Sequence, residues 1–236
     1  MKLLLPLTAI FAVATSIGIV NHFAPPIIYA VEKKVTIVEG MTVKEISSLL
    51  MKEGILEKPL ATNLEGYLFP DTYNFFAPSS QKVVLKKFDE NLNRKVAPLI
   101  SESTNIKDIL TIASLIEREV PHARDRRIVS GIIWKRLETG APLYIDYSIC
   151  YVLPAPCHPI TKDDLQLKSP YNTYLNVGLP PTPVGNPGLD AITATLHPES
   201  TEYWYYLTDP ETAKAIFSKD LDEHNRQVYT YLKSNN

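Results

Sequence analysis

The chain has 236 residues, with 24 Lys or Arg against 26 Asp or Glu and a formal charge of −2. This balance argues against electrostatic binding to nucleic acid, because such proteins usually carry a strongly basic face. Hydrophobic residues make up 45% of the chain and charged residues 21%, which is typical of a globular protein and excludes a disordered one.

The N-terminal segment contains an uncharged stretch from Leu3 to Val20 that follows Lys2. Eighteen helical residues span about 27 Å, which is close to the hydrocarbon thickness of a bilayer. A cleaved signal peptide usually has a shorter apolar region, and residues 28–30 match its cleavage site only in part. The segment therefore predicts an uncleaved membrane anchor over residues 1–30, with a cleaved signal as the alternative. Either one exports the rest of the chain.

A small strand–helix unit is predicted after this segment. Alternating residues over 35–38 predict a strand. Thr42 and Glu45 match a capping box at the start of a helix, and Gly54 is a natural stop for that helix. One strand and one helix cannot bury a core by themselves, so we expect this unit to pack against other elements.

The rest of the chain is predicted to contain more helices with short strands and ordered loops. The aromatic stretch 65–78, interrupted by Pro70, indicates a loop or an edge strand. The segment 169–187 is rich in Pro, Asn and Gly and is predicted to be loop. The predicted helices cover residues 80–98, 106–120, 125–137, 187–196 and 218–233, and a strand is predicted over 203–207. This pattern predicts an α+β fold of mixed helices and short sheets.

The helix predicted over 106–120 carries a glutamate on its apolar face. At 100° per residue, Glu117 lies within an apolar arc about 120° wide, and Glu119 lies on roughly the opposite side. Burial raises the pKa of a carboxyl group toward neutral, which suits a general acid. The alternative is a structural ion pair between Glu117 and an arginine. The candidate partners are Arg118, Arg124 and Arg136.

Other signs of a chemical site are weak. The histidines lack the spacing of a metal site, and no serine-hydrolase elbow or nucleotide-binding glycine pattern is present. Cys150 and Cys157 could form a disulfide in an exported chain, remain free thiols, or bind zinc with His158. Clustered aromatics, including 13 tyrosines, suit the apolar faces of a sugar chain, although most aromatic side chains in proteins serve as core.

Six sequence stretches occur together in a recognisable order. They are EGYLFPDTY (65–73), ASLIEREV (113–120), SPYNTY (169–174), GLPPTPVGNPG (178–188), HPES (197–200) and EHNRQV (223–228). On these stretches the chain resembles the YceG-like (MltG-type) endolytic murein transglycosylases over most of residues 35–236. It departs from the family pattern where Tyr144 replaces a frequent Gln and Ala215 a frequent His. The insertion over 154–159 and the short N-terminal region are also unusual.

The resemblance implies a lytic transglycosylase that cleaves the β-1,4 bond between N-acetylmuramic acid and N-acetylglucosamine without water. The first glutamate of the family motif, Glu117 here, would protonate the glycosidic oxygen and then deprotonate the C6 hydroxyl. Neither a metal nor an organic cofactor is expected. The residues expected to bind substrate are Glu65, Tyr67, Asp71, Asp146, Tyr171, Asn172 and Tyr174.

The resemblance also implies a domain organisation. It consists of a membrane anchor over residues 1–30, a LysM-like segment over 31–60 and a catalytic domain over 61–236. The expected partners are peptidoglycan glycan strands and the bacterial cytoplasmic membrane, with cell-wall synthases as a further candidate and no nucleic acid. The expected location is single-pass in the cell membrane, with the catalytic domain outside the cytoplasm. Two alternatives stay open: a non-catalytic peptidoglycan-binding or scaffold protein, and a hydrolase with Asp146 as a second carboxylate.

Overall fold

The computed structural model describes residues 31–154, 156–157 and 159–233. Within these residues the chain forms seven α-helices and four short β-strands, which confirms an α+β fold of mixed helices and short sheets. No helix in this described part is both long enough and apolar enough to cross a membrane. The anchor predicted over residues 1–30 lies outside the described residues.

The elements follow one another as short helices and strands joined by ordered loops. The helices are α1 (Val43–Lys52), α2 (Gln81–Val96), α3 (Ile106–Glu119), α4 (Ala123–Thr139), α5 (Asp146–Cys150), α6 (Leu189–Leu196) and α7 (Leu221–Val228). The strands are β1 (Val31–Thr36), β2 (Thr72–Ala77), β3 (Tyr205–Thr208) and β4 (Ala215–Ser218). Short 3₁₀ turns cover Thr62–Leu64, Ala97–Leu99 and Asp164–Gln166, and a π-helical turn covers Tyr229–Lys233.

The predicted strand–helix unit obtains its missing partners from later in the chain. Strand β1 pairs antiparallel with β2, with Val31 opposite Ala77 and Thr36 opposite Thr72. Helix α1 begins at the predicted capping box of Thr42. The hydrophobic core of this unit includes Phe75 from β2 and residues of α2, so it contains residues on both sides of position 61.

Two predicted boundaries at strand ends were wrong. The first strand was predicted over 35–38, but β1 ends at Thr36, where its pairing with β2 ends. The closing helix was predicted to begin at Ser218, but Ser218 pairs with Tyr205 as the last residue of β4. The β1–β2 pairing determines the first position and the β3–β4 hairpin determines the second, because each register depends on contacts that the local sequence does not contain.

Helix α3 is the centre of the larger hydrophobic core. It is buried along most of its length, from Ile109 to Ile116, and it contacts α4, α5 and α6. A helix that is apolar all round is a buried helix, as the sequence indicated for this one. Its apolar arc therefore does not reveal which of its two glutamates reaches a cavity.

Glu65 and Asn186 lie where the two hydrophobic cores meet. The Glu65 carboxylate accepts hydrogen bonds from the Val43 N–H (3.0 Å), the Asn186 side-chain amide (3.1 Å) and the Tyr151 hydroxyl (3.1 Å). Burial raises the pKa of Glu65 to about 7, although the hydrogen bond from Val43 opposes this rise. The carboxyl group of Glu65 is thus engaged inside the fold, where it ties the N-terminus of α1 to the end of α5.

Cys150 and Cys157 form a disulfide, with their Cα atoms 5.3 Å apart. This bond decides between the three alternatives that the sequence left open, in favour of the disulfide over zinc binding and free thiols. It closes the C-terminal end of α5, whose first residue is Asp146. The disulfide therefore anchors the short helix on which a predicted site residue lies.

Candidate functional site

Glu117 lies near the end of α3 in a buried ion pair. Its Oε1 atom is 2.6 Å from Nη2 of Arg126 on α4, and the two side chains are only 5% and 8% exposed, respectively. Its Oε2 atom accepts a hydrogen bond from the Gly188 N–H at 2.9 Å. An arginine partner was the structural alternative for Glu117, but the partner is Arg126 rather than any of the three arginines considered. Both carboxylate oxygens are therefore engaged by the protein.

The backbone packs closely around Glu117. Gly40 has a φ of +78°, and a Cβ atom added there would lie 2.8 Å from the Arg118 side chain and 3.7 Å from Glu117 Cγ. A Cβ atom added at Gly188 would collide with the carboxylate of Glu39. Gly40 therefore needs glycine for its left-handed backbone conformation, whereas a Cβ atom at Gly188 would require the flexible Glu39 side chain to move. Gly40 and Gly188 thus both lie beside the Glu117 ion pair.

Glu119, two residues further along α3, lines a cavity of about 540 Å³. Its Oε1 atom accepts a hydrogen bond from the Tyr147 N–H at 3.1 Å. Burial raises the pKa of Glu119 to about 7; the Tyr147 hydrogen bond opposes this rise, and the charge of Asp146 adds to it. Residues two apart on a helix point about 200° apart, which explains why the two glutamates have different surroundings.

Asp146 and Tyr174, both predicted to bind substrate, line the same cavity as Glu119. The Tyr174 hydroxyl donates a hydrogen bond to Asp146 Oδ1 at 2.5 Å. Burial, and next the charge of Asp146, raise the pKa of Tyr174, so its hydroxyl stays protonated and can donate. The structure thus places Asp146 and Tyr174 together with Glu119, whereas the sequence predicted Glu117 as the catalytic glutamate.

Tyr206 on β3 and His224 on α7 also line the cavity with polar groups. Within the described part of the chain, the buried Tyr206 Oη and His224 Nδ1 atoms have no hydrogen-bond partner. Burial raises the pKa of Tyr206 and lowers that of His224, and the charge of Arg136 lowers the latter further. Buried polar groups in proteins normally have a partner, so these two atoms are available to a polar molecule or to water in the cavity.

The SPYNTY stretch holds the cavity wall in place rather than lining it throughout. The Asn172 side-chain amide donates to the Leu165 and Leu167 carbonyls at 3.0 and 2.9 Å. The Tyr171 hydroxyl is 2.8 Å from Thr182 Oγ1, and its ring packs against another tyrosine of the core. Both predicted residues therefore stabilise loops next to the site.

The remaining predicted residues are Tyr67 and Asp71. Neither is among the described residues that line this cavity. Tyr67 packs against the larger hydrophobic core. Asp71 accepts hydrogen bonds from the Asn91 amide (3.0 Å) and the Thr72 N–H (2.7 Å) beside β2. Burial of Asp71 would raise its pKa, but these hydrogen bonds outweigh that effect and lower it.

The cavity combines features that suit acid–base work on an uncharged polar ligand. A carboxyl group with a pKa near 7 can release and recover a proton at neutral pH. Tyrosine rings provide flat apolar faces, and the hydroxyl, imidazole and carboxylate groups between them can hydrogen-bond. The sequence signal for this site lay in Glu119, the polar residue that ends a buried helix, and in the stretch that contains His224.

Comparisons with known proteins identify relatives of this chain. The model of the YceG-like family matches residues 14–230. The endolytic murein transglycosylase of Bacillus subtilis (strain 168) is 33% identical over 187 residues, which cover 77% of this chain and 52% of that protein. The endolytic murein transglycosylase of Streptococcus pneumoniae (strain D39) is 30% identical, and the match covers 87% of this chain and 37% of that protein. The chain thus spans about half or less of these curated relatives.

A solved structure provides a comparison of the fold. The crystal structure of a YceG-like protein from Listeria monocytogenes superposes with a TM-score of 0.70 at 30% sequence identity. The match covers 82% of this chain and 75% of the Listeria chain. The two chains therefore share most of their fold.

Proposed function

Because this chain belongs to the YceG-like family, we propose that it is a lytic transglycosylase acting on peptidoglycan. Its reaction cleaves the β-1,4 bond between N-acetylmuramic acid and N-acetylglucosamine and leaves a 1,6-anhydro end. The observation that carries the proposal is Glu119, a carboxyl group with a pKa of about 7 in a polar, tyrosine-lined cavity. The names of the curated relatives support the same reaction class.

Glu119 performs both proton transfers in this mechanism. As a neutral acid it donates its proton to the glycosidic oxygen while the bond from that oxygen to C1 breaks. The resulting carboxylate then removes the proton of the C6 hydroxyl on the same muramic acid, and O6 forms the new bond to C1. The proton lost in the first step returns in the second, so Glu119 ends as it began and no water is consumed.

Asp146 supports this chemistry as a neighbouring negative charge. Burial is the main cause of the raised pKa of Glu119, and the charge of Asp146 adds to this rise, so that the acid stays protonated near neutral pH. A carboxylate in the cavity also stabilises positive charge that develops at C1 in the transition state. The Tyr174 hydroxyl holds Asp146 in place through its hydrogen bond.

The sequence predicted that Glu117 is the catalytic acid, and our proposal differs from that prediction. The two oxygens of Glu117 are engaged by Arg126 and by the Gly188 N–H, and this residue is almost fully buried. A catalytic acid must reach the glycosidic oxygen, and the cavity residue Glu119 is better placed to do so. We therefore assign the proton transfers to Glu119 and a structural role to Glu117.

The proposal extends to the rest of the chain. We place residues 1–30 in the cytoplasmic membrane as an anchor, with the catalytic domain over 61–236 outside the cytoplasm. The segment over 31–60 serves as a LysM-like unit that helps to position glycan strands. Cell-wall synthases, which make such strands, are the candidate protein partners.

Product analysis of the full chain tests the reaction. The chain, purified in mild detergent, is incubated with uncrosslinked glycan strands, and the products are separated and weighed by mass spectrometry. We expect ends that are 1,6-anhydromuramic acid, because O6 replaces water as the nucleophile. Reducing ends that carry the added mass of water would instead indicate a hydrolase. No product from a folded chain would favour the binding or scaffold alternative.

The pH dependence of the cleavage rate is expected to report the pKa of Glu119 and the effect of the Asp146 charge on that pKa. Glu119 must be protonated for the first step, so the rate should fall as the pH rises through about 7. Replacing Asp146 by Asn removes the charge that raises this pKa, so the fall should move to lower pH. We also expect the rate to drop about tenfold or more through lost transition-state stabilisation.

Rates measured from pH 5 to 9 check this prediction. The matched control is Asp89→Asn, which removes an exposed carboxylate on α2 away from the cavity. Its profile should coincide with that of the unmodified chain. If the rate of Asp146→Asn fell over the same pH range as that of the unmodified chain, Asp146 would not influence the pKa of the catalytic acid.

A further inference from the structure

Tyr144 has a backbone conformation that tyrosine rarely adopts. Its φ is +51°, in the left-handed region, and only one other non-glycine residue of the described chain, Ala213, has a positive φ. A bulky side chain remains in this region only where its surroundings leave it little choice. Such residues tend to occur at sites of binding or catalysis, and Tyr144 is two residues from Asp146.

Contacts on both sides hold Tyr144 in this conformation. Its N–H donates to the Thr173 carbonyl at 3.2 Å, and the next N–H, of Ile145, donates to Thr173 Oγ1 at 3.0 Å. Before it in the chain, the Leu143 carbonyl accepts a hydrogen bond from the buried Arg136 side chain. The backbone of Tyr144 is thus fixed by α4 and by the loop that contains Thr173.

The ring of Tyr144 is supported by the protein but remains accessible. The Arg136 guanidinium lies 5.6 Å from the ring centroid, and the Tyr174 ring meets it edge-on at a centroid distance of 5.3 Å. The residue nonetheless stays 44% exposed and lines the cavity that contains Glu119. A large apolar side chain held rigidly and left half-open to solvent is a typical binding surface.

We infer that Tyr144 is a stacking platform for one N-acetylated pyranose ring of the bound glycan strand. A pyranose has an apolar face of C–H groups that fits a flat aromatic ring, while its hydroxyl and acetamido groups point outward to polar partners. Asp146, Tyr206 and His224 provide such partners in the same cavity. Tyr144 thereby determines which sugar ring lies beside Glu119, and this inference rests on the proposed function.

Equilibrium binding separates this role from catalysis. The Glu119→Gln chain serves as the parent, because it should bind strands without cleaving them. Isothermal titration calorimetry measures the Kd for uncrosslinked glycan strands and, as an uncharged probe, for an N-acetylglucosamine tetramer. Tyr144→Phe keeps the ring, Tyr144→Gln removes it, and Tyr229→Gln removes an exposed tyrosine that does not line the cavity.

We expect the Phe variant to bind within about twofold of the parent and the Gln variant to have a Kd about fivefold to tenfold higher. Tyr229→Gln should not change the Kd. A fourth variant, Tyr144→Asn, controls for the backbone, because Asn tolerates the left-handed conformation. It should lose affinity as the Gln variant does, with an unfolding temperature close to that of the parent.

The possible results distinguish the inference from the proposed function. Unchanged affinity in Tyr144→Gln or Tyr144→Asn would overturn the platform, as would a Phe variant that binds as weakly as the Gln variant. If the unmodified chain cleaves strands but these variants behave as the parent does, only the platform is wrong. If the parent binds strands through Tyr144 while the unmodified chain never cleaves them, only the proposed reaction is wrong. Absence of both binding and cleavage would overturn both.

Discussion

Replacing Glu119 by Gln is expected to lower the rate of glycan-strand cleavage by about 10³-fold, because a carboxamide cannot donate or recover the proton. The shape of the side chain is retained, and its carbonyl oxygen can still accept the hydrogen bond from the Tyr147 N–H. Strand binding and the unfolding temperature should therefore change little. The measurement is the amount of anhydro-ended product formed per unit time.

Glu138→Gln is the matched control for this substitution. Glu138 is an exposed glutamate near the end of α4, and its replacement should leave the cleavage rate unchanged. Full activity in Glu119→Gln would contradict the assignment. If Glu117→Gln alone abolished cleavage while it remained folded, the acid chosen from the sequence pattern would be the correct one.

Replacing Glu117 by Gln is expected to have its main effect on stability. The substitution leaves the Arg126 guanidinium buried without its counter-charge, and breaking a buried ion pair in this way costs about 3–5 kcal/mol. For a domain of this size such a loss lowers the unfolding temperature by about 6–20 °C. At temperatures where the variant stays folded, we expect it to cleave strands at close to the unmodified rate.

Thermal unfolding followed by circular dichroism checks this expectation. Glu202→Gln removes the acidic partner of an exposed pair with Lys219, and it should cost at most about 1 kcal/mol because exposed ion pairs are weak. The double variant Glu117→Gln with Arg126→Met should recover part of the loss, since it also removes the uncompensated charge. An unfolding temperature in Glu117→Gln equal to that of the unmodified chain would contradict the structural role.

The two substitutions test two glutamates that lie in different surroundings on the same helix. Glu117 and Glu119 are two residues apart on α3, and the helix geometry points them about 200° apart. One side of the helix end meets Arg126 and the N-terminus of α6, where the charge is neutralised. The other side opens on the cavity, where burial and Asp146 keep the carboxyl protonated near neutral pH. We therefore expect Glu119→Gln to lower the cleavage rate with little change in stability, and Glu117→Gln to lower stability with little change in the cleavage rate.

Local sequence was sufficient to predict most helices and the class of fold. The capping box at Thr42, the stop at Gly54 and the helix over 106–120 all correspond to observed ends. These features depend on hydrogen bonds and backbone preferences within a few residues, which the sequence contains directly. The short strand β4 was missed, because its four residues become a strand only through pairing with β3.

The site itself depended on contacts between distant parts of the chain. The sequence by itself predicted a functional glutamate near the end of a buried helix and assigned Asp146 and Tyr174 to the same site. The structure places Asp146 and Tyr174 in one cavity with Glu119. Our proposal distinguishes Glu119 from Glu117 by tertiary structure, because α3 is apolar on nearly all sides and its neighbours determine which face is covered. Arg126, the close approach of Gly188 and the cavity wall from β3 and α7 supply that information. A helical wheel shows the direction of each side chain around one helix. The burial, ion pairing and pKa of a side chain depend on the elements that pack against that side of the helix.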